Sequence, residues 1–217
     1  MLHRVERDCS QNLMLLGFEK QAVLGLYDRR MARRGAYAKG IAKREEILAV
    51  ALDVIARHGY RGASVREIAD AVGLSQAGLL HYFGSKDELF TAVLVKRDEV
   101  DNAGGTGDIL DDLVRIVAHN AEVPGLVHLF AQLSIEAADP DHPAHQFFRA
   151  RYAYLHTVLA KRIRDGQADG SLRAGPDPDR AAAAVIAATD GLQTQFLLDP
   201  SVDMAAALAA MIEDLRA

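Results

Sequence analysis

The sequence contains no tryptophan and a single cysteine, Cys9. A lone cysteine excludes an intrachain disulfide, and no Cys/His spacing of the kind that holds zinc occurs along the chain. A reducing cytoplasm is the corresponding expectation. Only 6% of the residues are aromatic. Alternating β-branched patterns are scarce and alanine recurs in runs, which favours helix over sheet. No apolar run reaches the roughly 18 residues needed to span a bilayer, so no membrane contact is expected. The first residues do not fit a secretory signal: Glu6 and Asp8 fall where positive charge is required, and Glu19 and Lys20 interrupt the apolar stretch. No nucleophile-plus-base arrangement and no phosphate-cradling glycine loop appears, so neither catalysis nor a metal nor a cofactor has a candidate centre.

What is present points to an all-α protein. The 217 residues suffice for a small domain joined to a larger one, and half of them are hydrophobic. The net charge of -5 hides an asymmetry: residues 1–100 hold 16 Lys and Arg against 13 Asp and Glu, whereas residues 101–217 hold 9 against 17. Arg29, Arg30, Arg33, Arg34, Lys39, Lys43 and Arg44 follow one another with no acid between them. Such a run is either a solvated tail or a polyanion contact. Residues 1–38 are expected to form a basic extension without regular structure, punctuated by Gly17, Gly25 and Gly35. Met31, just before ARRGAYAKG, offers an alternative start.

From Lys43 the pattern becomes regular. KREEILAVALDVIARHG places Ile47, Leu48, Ala51, Leu52, Ile55 and Ala56 on one helical face, with Gly59 as the stop. Ser64 and Glu67 have the S-x-x-E spacing of a capping box and open a second helix that ends at Val72 and Gly73. A third helix starts near Ser75, and Ser85 with Glu88 opens a fourth. Ile68, Ala69, Val72, Gly73, Leu74, Leu79 and Tyr82 fit a helix-turn-helix, which leaves Gln76, Ala77, Leu80 and His81 facing outward.

The stretch SVREIADAVGLSQAGLLHYFGSKDELF resembles the DNA-binding domain of the TetR (tetracycline-repressor) family, with its run T/S-x-x-x-I-A-x-x-x-G-x-S-x-x-x-x-Y-x-Y-F-x-x-K-x-x-L. The resemblance covers residues 39–88 as a domain, with the helix-turn-helix at 64–83. It implies that Ser64 and Arg66 meet phosphates, and that Ser75, Gln76 and Ala77 lie at the start of a recognition helix. Gln76 is a candidate for reading adenine, or else a phosphate or solvent contact. His81 and the Tyr82 hydroxyl are expected against the DNA backbone, and Lys86 should neutralise a phosphate. Two departures stand out. Leu80 replaces the family's usual tyrosine and Ala77-Gly78 its frequent Gly-Thr, so a thymine-methyl contact through Leu80 is expected in place of a hydroxyl contact.

Residues 89–217 resemble the family's C-terminal bundle in layout only. Helices separated by proline and glycine follow the glycine-rich NAGGTGD. His128, Gln132 and Glu136 recur at a spacing of four and share a face, which makes them candidates to line an effector pocket with Phe130, Phe148, Tyr152 and Asp190. The alternative for that stripe is a solvent-facing surface. The two last helices, about 178–198 and 201–216, combine small residues with large apolar ones, as a homodimer interface requires; the alternative is closure of the monomer's own core.

The resemblance implies a DNA-binding transcriptional regulator, a repressor that holds a palindromic double-stranded operator as a homodimer and responds to a small-molecule inducer of unknown identity. The rival reading is a helical small-molecule carrier or interaction protein with a vestigial helix-turn-helix.

Overall fold

The structure, a computed structural model, describes residues 34–217, with side chains from residue 39 except at 60–62 and 102–103. Expectations about residues 1–33 lie outside these limits. Two compact units divide the chain at Ala42 and Lys43, and every contact described below falls within Lys43–Ala217.

Nine helices follow in order among the described residues: α1 Arg34–Gly62, α2 Val65–Ala71, α3 Gln76–Phe83, α4 Lys86–Ala103, α5 Ile109–Asn120, α6 Pro124–Glu136, α7 His145–Asp169, α8 Pro178–Leu198 and α9 Met204–Glu213. Helix α1 begins nine residues before the regular apolar pattern, because alanine, lysine and arginine carry it through Gly35 and Gly40. Its regular part ends where expected: Gly59 takes φ 72°, a left-handed conformation open to glycine, and the Ala63 N–H bonds to the Gly59 carbonyl at 2.8 Å.

The capping signals operate as read. Ser64 Oγ accepts from the Glu67 N–H, and the Glu67 carboxylate accepts from the Ser64 N–H, both at 3.1 Å. Ser75 Oγ accepts from Gly78 N–H at 3.0 Å, and Ser85 Oγ from Glu88 N–H at 3.0 Å. Gly73, with φ 69°, turns the chain between α2 and α3.

Packing divides the fold into two apolar clusters that do not follow chain order. Ile47, Ile55, Ile68, Leu79, Phe90 and Leu94 from α1–α4 share the first with Leu129, Phe130, Leu133 and Phe148 from α6 and α7. The second joins α5, the later part of α7, α8 and α9 through Leu113, Leu159, Ile163, Val185, Leu208 and Ile212. An isolated antiparallel bridge between Leu172 and Arg216 fastens the chain end to the turn after α7. Helix α6 meets α1 with almost nothing between them: a Cβ at Gly125 would run into the Ile55 carbonyl and lie 2.8 Å from the Gly59 Cα.

Candidate nucleic-acid interface

Helix α3 is held from three sides. Leu79 and Phe83 are buried in the first cluster, and the Tyr82 ring packs against it half-buried. From α1, Lys43 Nζ donates to the Val72 carbonyl at 3.1 Å, and Arg44 Nη1 donates to the Tyr82 carbonyl at 2.6 Å. Carbonyls at helix C-termini attract cations, so these two residues brace the ends of α2 and α3. The Arg44 guanidinium also lies 4.1 Å from the centroid of the Phe83 ring. Two members of the basic run are therefore engaged inside the fold, a role their charge alone did not disclose.

With α3 so held, Gln76, Ala77 and His81 are exposed along one side. Ser64, Arg66, Ser75 and Lys86 are exposed as well. The hydroxyls of Ser64 and Ser75 already serve as caps, Arg66 Nε lies 3.8 Å from Asp70, and Lys86 Nζ sits 5.3 Å from the Phe90 ring centroid. Leu80 is half-buried and packs in part on the first cluster. Part of the side chain covers the core, which a leucine favours over water, and the rest stays exposed beside Gln76 and Ala77.

The bundle residues separate into two groups. Phe130, Phe148 and Tyr152 form an aromatic row, with ring centroids 5.2 Å apart for the first pair and 6.2 Å for the second. Tyr152 Oη donates to Asp190 Oδ2 at 2.7 Å. Burial pushes both groups up, and the shared hydrogen bond adds to the rise at the tyrosine while partly offsetting it at the carboxyl. Arg151 stands beside the row, its guanidinium 4.9 Å from the Phe130 centroid and its Nε 2.9 Å from Asp98 of α4. The second group is local: Gln132 Nε2 donates to Glu136 at 2.7 Å, and Glu136 lies 3.8 Å from His142. His128 is half-buried on the same helix. A separate cavity of about 350 Å³ opens between the end of α5, the end of α8 and the start of α9, lined by Val117, Ala121, Phe196, Val202, Asp203 and Met204 among others.

Sequence reasoning missed a buried polar chain. Arg97 on α4 is 7% exposed; its Nε is 3.5 Å from Asp101 and its Nη2 bonds to Asn120 Oδ1 on α5. Asn120 Nδ2 donates to Gln193 Oε1 on α8 at 3.1 Å. These positions lie far apart in the chain, and Arg97 stands in the charged run Lys96-Arg97-Asp98-Glu99, where nothing local marks it as buried.

Two family models match the chain: bacterial regulatory proteins, tetR family, over residues 47–93, and BetI-type transcriptional repressor, C-terminal, over residues 130–217. Together these segments take in more than half of the chain. The chain belongs to the TetR family. It is 46% identical over 122 residues to the HTH-type transcriptional repressor AcnR of Corynebacterium glutamicum, covering 56% of this chain and 62% of that protein. The AcnR of Corynebacterium efficiens is 30% identical over 128 residues, covering 58% and 64% respectively. The matches thus span just under two thirds of those relatives. A protein of Saccharomonospora viridis solved in complex with choline aligns with a TM-score of 0.62 at 28% identity, over 78% of this chain and 95% of its own.

Proposed function

We propose that this chain is a DNA-binding transcriptional repressor that grips a palindromic operator as a homodimer and releases it when a small molecule enters the bundle. The observation that carries the reading is α3, braced by Lys43, Arg44, Leu79 and Phe83 and presenting Gln76, Ala77 and His81 outward. That is the arrangement a recognition helix needs to enter a major groove, with Ser64, Arg66 and Lys86 at its flanks for phosphates. The lack of a candidate reactive centre in the sequence favours binding over catalysis.

The outer faces of α8 and α9 support the homodimer reading. Their large apolar residues close the protomer's own second cluster, and the face left outside is built from Ala184, Ala187, Gly191 and Leu198 on α8 and Ala206 and Ala210 on α9. Nothing lies within 4 Å of a Cβ built at Gly191, and Leu198 is 83% exposed. A mid-helix glycine costs about 1 kcal/mol relative to alanine. Close approach of a second copy of the helix gives that cost a use. Two recognition helices then read half-sites about 34–36 Å apart or at a multiple of that spacing.

For the effector site the reading favours Phe130, Phe148, Tyr152 and Asp190, where aromatic faces meet a half-buried carboxyl. Choline is the molecule held by the Saccharomonospora viridis protein; for this chain the effector is left as a small organic molecule. Bound effector favours a dimer whose recognition helices no longer match successive grooves, and operator DNA must weaken effector binding by the same factor.

The test is salt dependence on DNA fragments selected from the source genome by the purified protein. Binding should weaken with a log-log slope near -0.9 per phosphate neutralised, and Lys86→Ala should reduce that slope by about one. A flat response would instead favour the carrier reading.

A further inference from the structure

The Arg97–Asn120–Gln193 chain is expensive to bury and does not look like a device for stability. Arg97 is 7%, Asn120 3% and Gln193 6% exposed. Burial pulls the Arg97 guanidinium down and pushes the Asp101 carboxyl up, so each partner's desolvation outweighs the attraction between them. Apolar side chains of similar volume commonly serve a core as well or better than such a pair. What an apolar contact does not supply is a single register, because a helix packed only through leucine and valine can slide or rotate at little cost.

The chain joins three helices at one level. Arg97 belongs to α4, which follows directly on the helix-turn-helix; Asn120 closes α5; Gln193 sits on the inner side of α8, whose outer side carries Gly191 and Leu198. One residue further along α4, Asp98 accepts from Arg151 Nε of α7 at 2.9 Å. Adjacent residues of α4 are therefore keyed to two different sides of the bundle.

We propose that Arg97 is a positioning residue that fixes the register of α4 against α8, and so sets the placement of the DNA-binding helices relative to the dimer face. The inference rests on the repressor reading above. It predicts a dissociation rare among buried charges: removing the network should cost operator affinity without costing the fold.

Operator binding and thermal unfolding of the full chain test it, using a fragment selected by the wild-type protein. Arg97→Met should weaken operator binding at least about tenfold, ~1.4 kcal/mol by conversion, with the salt slope unchanged because no phosphate contact is lost. Since this variant leaves Asp101 and Asn120 without their cation, the companion Arg97→Met/Asp101→Leu/Asn120→Leu/Gln193→Leu removes every member at once. It should unfold at or above the wild-type temperature and still bind poorly. A spin label on Ala71→Cys in a Cys9→Ser background should report a broader distance distribution between protomers in both variants. Wild-type affinity in both overturns the proposal, as does a loss of binding that merely tracks a loss of fold in both. If the wild-type protein itself binds every fragment with a flat salt response, the repressor reading fails and takes this inference with it.

Discussion

Arg44 and Tyr82 are 38 positions apart, yet the Arg44 guanidinium donates to the Tyr82 carbonyl at 2.6 Å and lies over the neighbouring Phe83 ring. One side chain thus closes the C-terminal end of α3 and covers the aromatic that anchors it. Arg44→Ala should cost about 1–2 kcal/mol of unfolding free energy, since hydrogen bonds to charged groups exceed neutral ones. Arg44→Lys should recover only part, because an ammonium has no planar face to lay on the ring. Denaturant midpoints of the two variants check this.

Leu80 and Gln76 should behave in opposite ways. Leu80 packs on the core, so Leu80→Ala is expected to destabilise the fold by about 1–2 kcal/mol, below the range for fully buried leucines. Its ranking of operator sequences should not change. Gln76 is exposed, so Gln76→Ala should leave the unfolding midpoint within about 0.5 kcal/mol and relax the preference at one base pair per half-site by about 1–3 kcal/mol. Competition binding against single-base operator variants separates the two.

On the outer face of α8, Gly191→Leu introduces a side chain where a second helix must approach closely. The dimer should weaken about tenfold or more, ~1.4 kcal/mol, as read by sedimentation across a dilution series. Ala153→Leu, at an exposed position of α7, should leave the oligomeric state unchanged. Equal dimer strength in both variants would place the interface elsewhere.

The Tyr152–Asp190 pair gives a pH signature. Burial raises the Asp190 carboxyl above its ordinary value, so folding strengthens its hold on a proton. Its contribution to stability is therefore fully present below the ordinary carboxylate range and lost as pH rises through the raised native value. Asp190→Asn keeps an oxygen for the Tyr152 hydroxyl and removes the titration. The variant should lose less stability than the wild type between about pH 4 and pH 8. Asp101 is raised for the same first cause, so the limb should flatten rather than vanish.

The helices around the turn were legible because their signals are local. Ser64 with Glu67, Ser75, Gly73 and Ser85 each act within a few residues, and each sits where its spacing placed it. The partial packing of Leu80 on the first cluster was not legible, because it depends on what α3 packs against, and periodicity alone does not decide that. The stripe of Gln132 and Glu136 satisfied its spacing and was still taken up locally, with His142 as the third member. Arg97, Asn120 and Gln193 were invisible as a set, since partners 23 and 73 positions apart leave no mark in a window of any practical length.

At Gly125 the backbone of α6 rests on that of α1 with no side chain between them. Joints of this kind transmit displacement without slack, since there is no rotamer to absorb it. They also limit engineering: a hybrid that couples this helix-turn-helix to a foreign bundle must bring a glycine to that point, or rebuild the end of α1 to accept a larger residue.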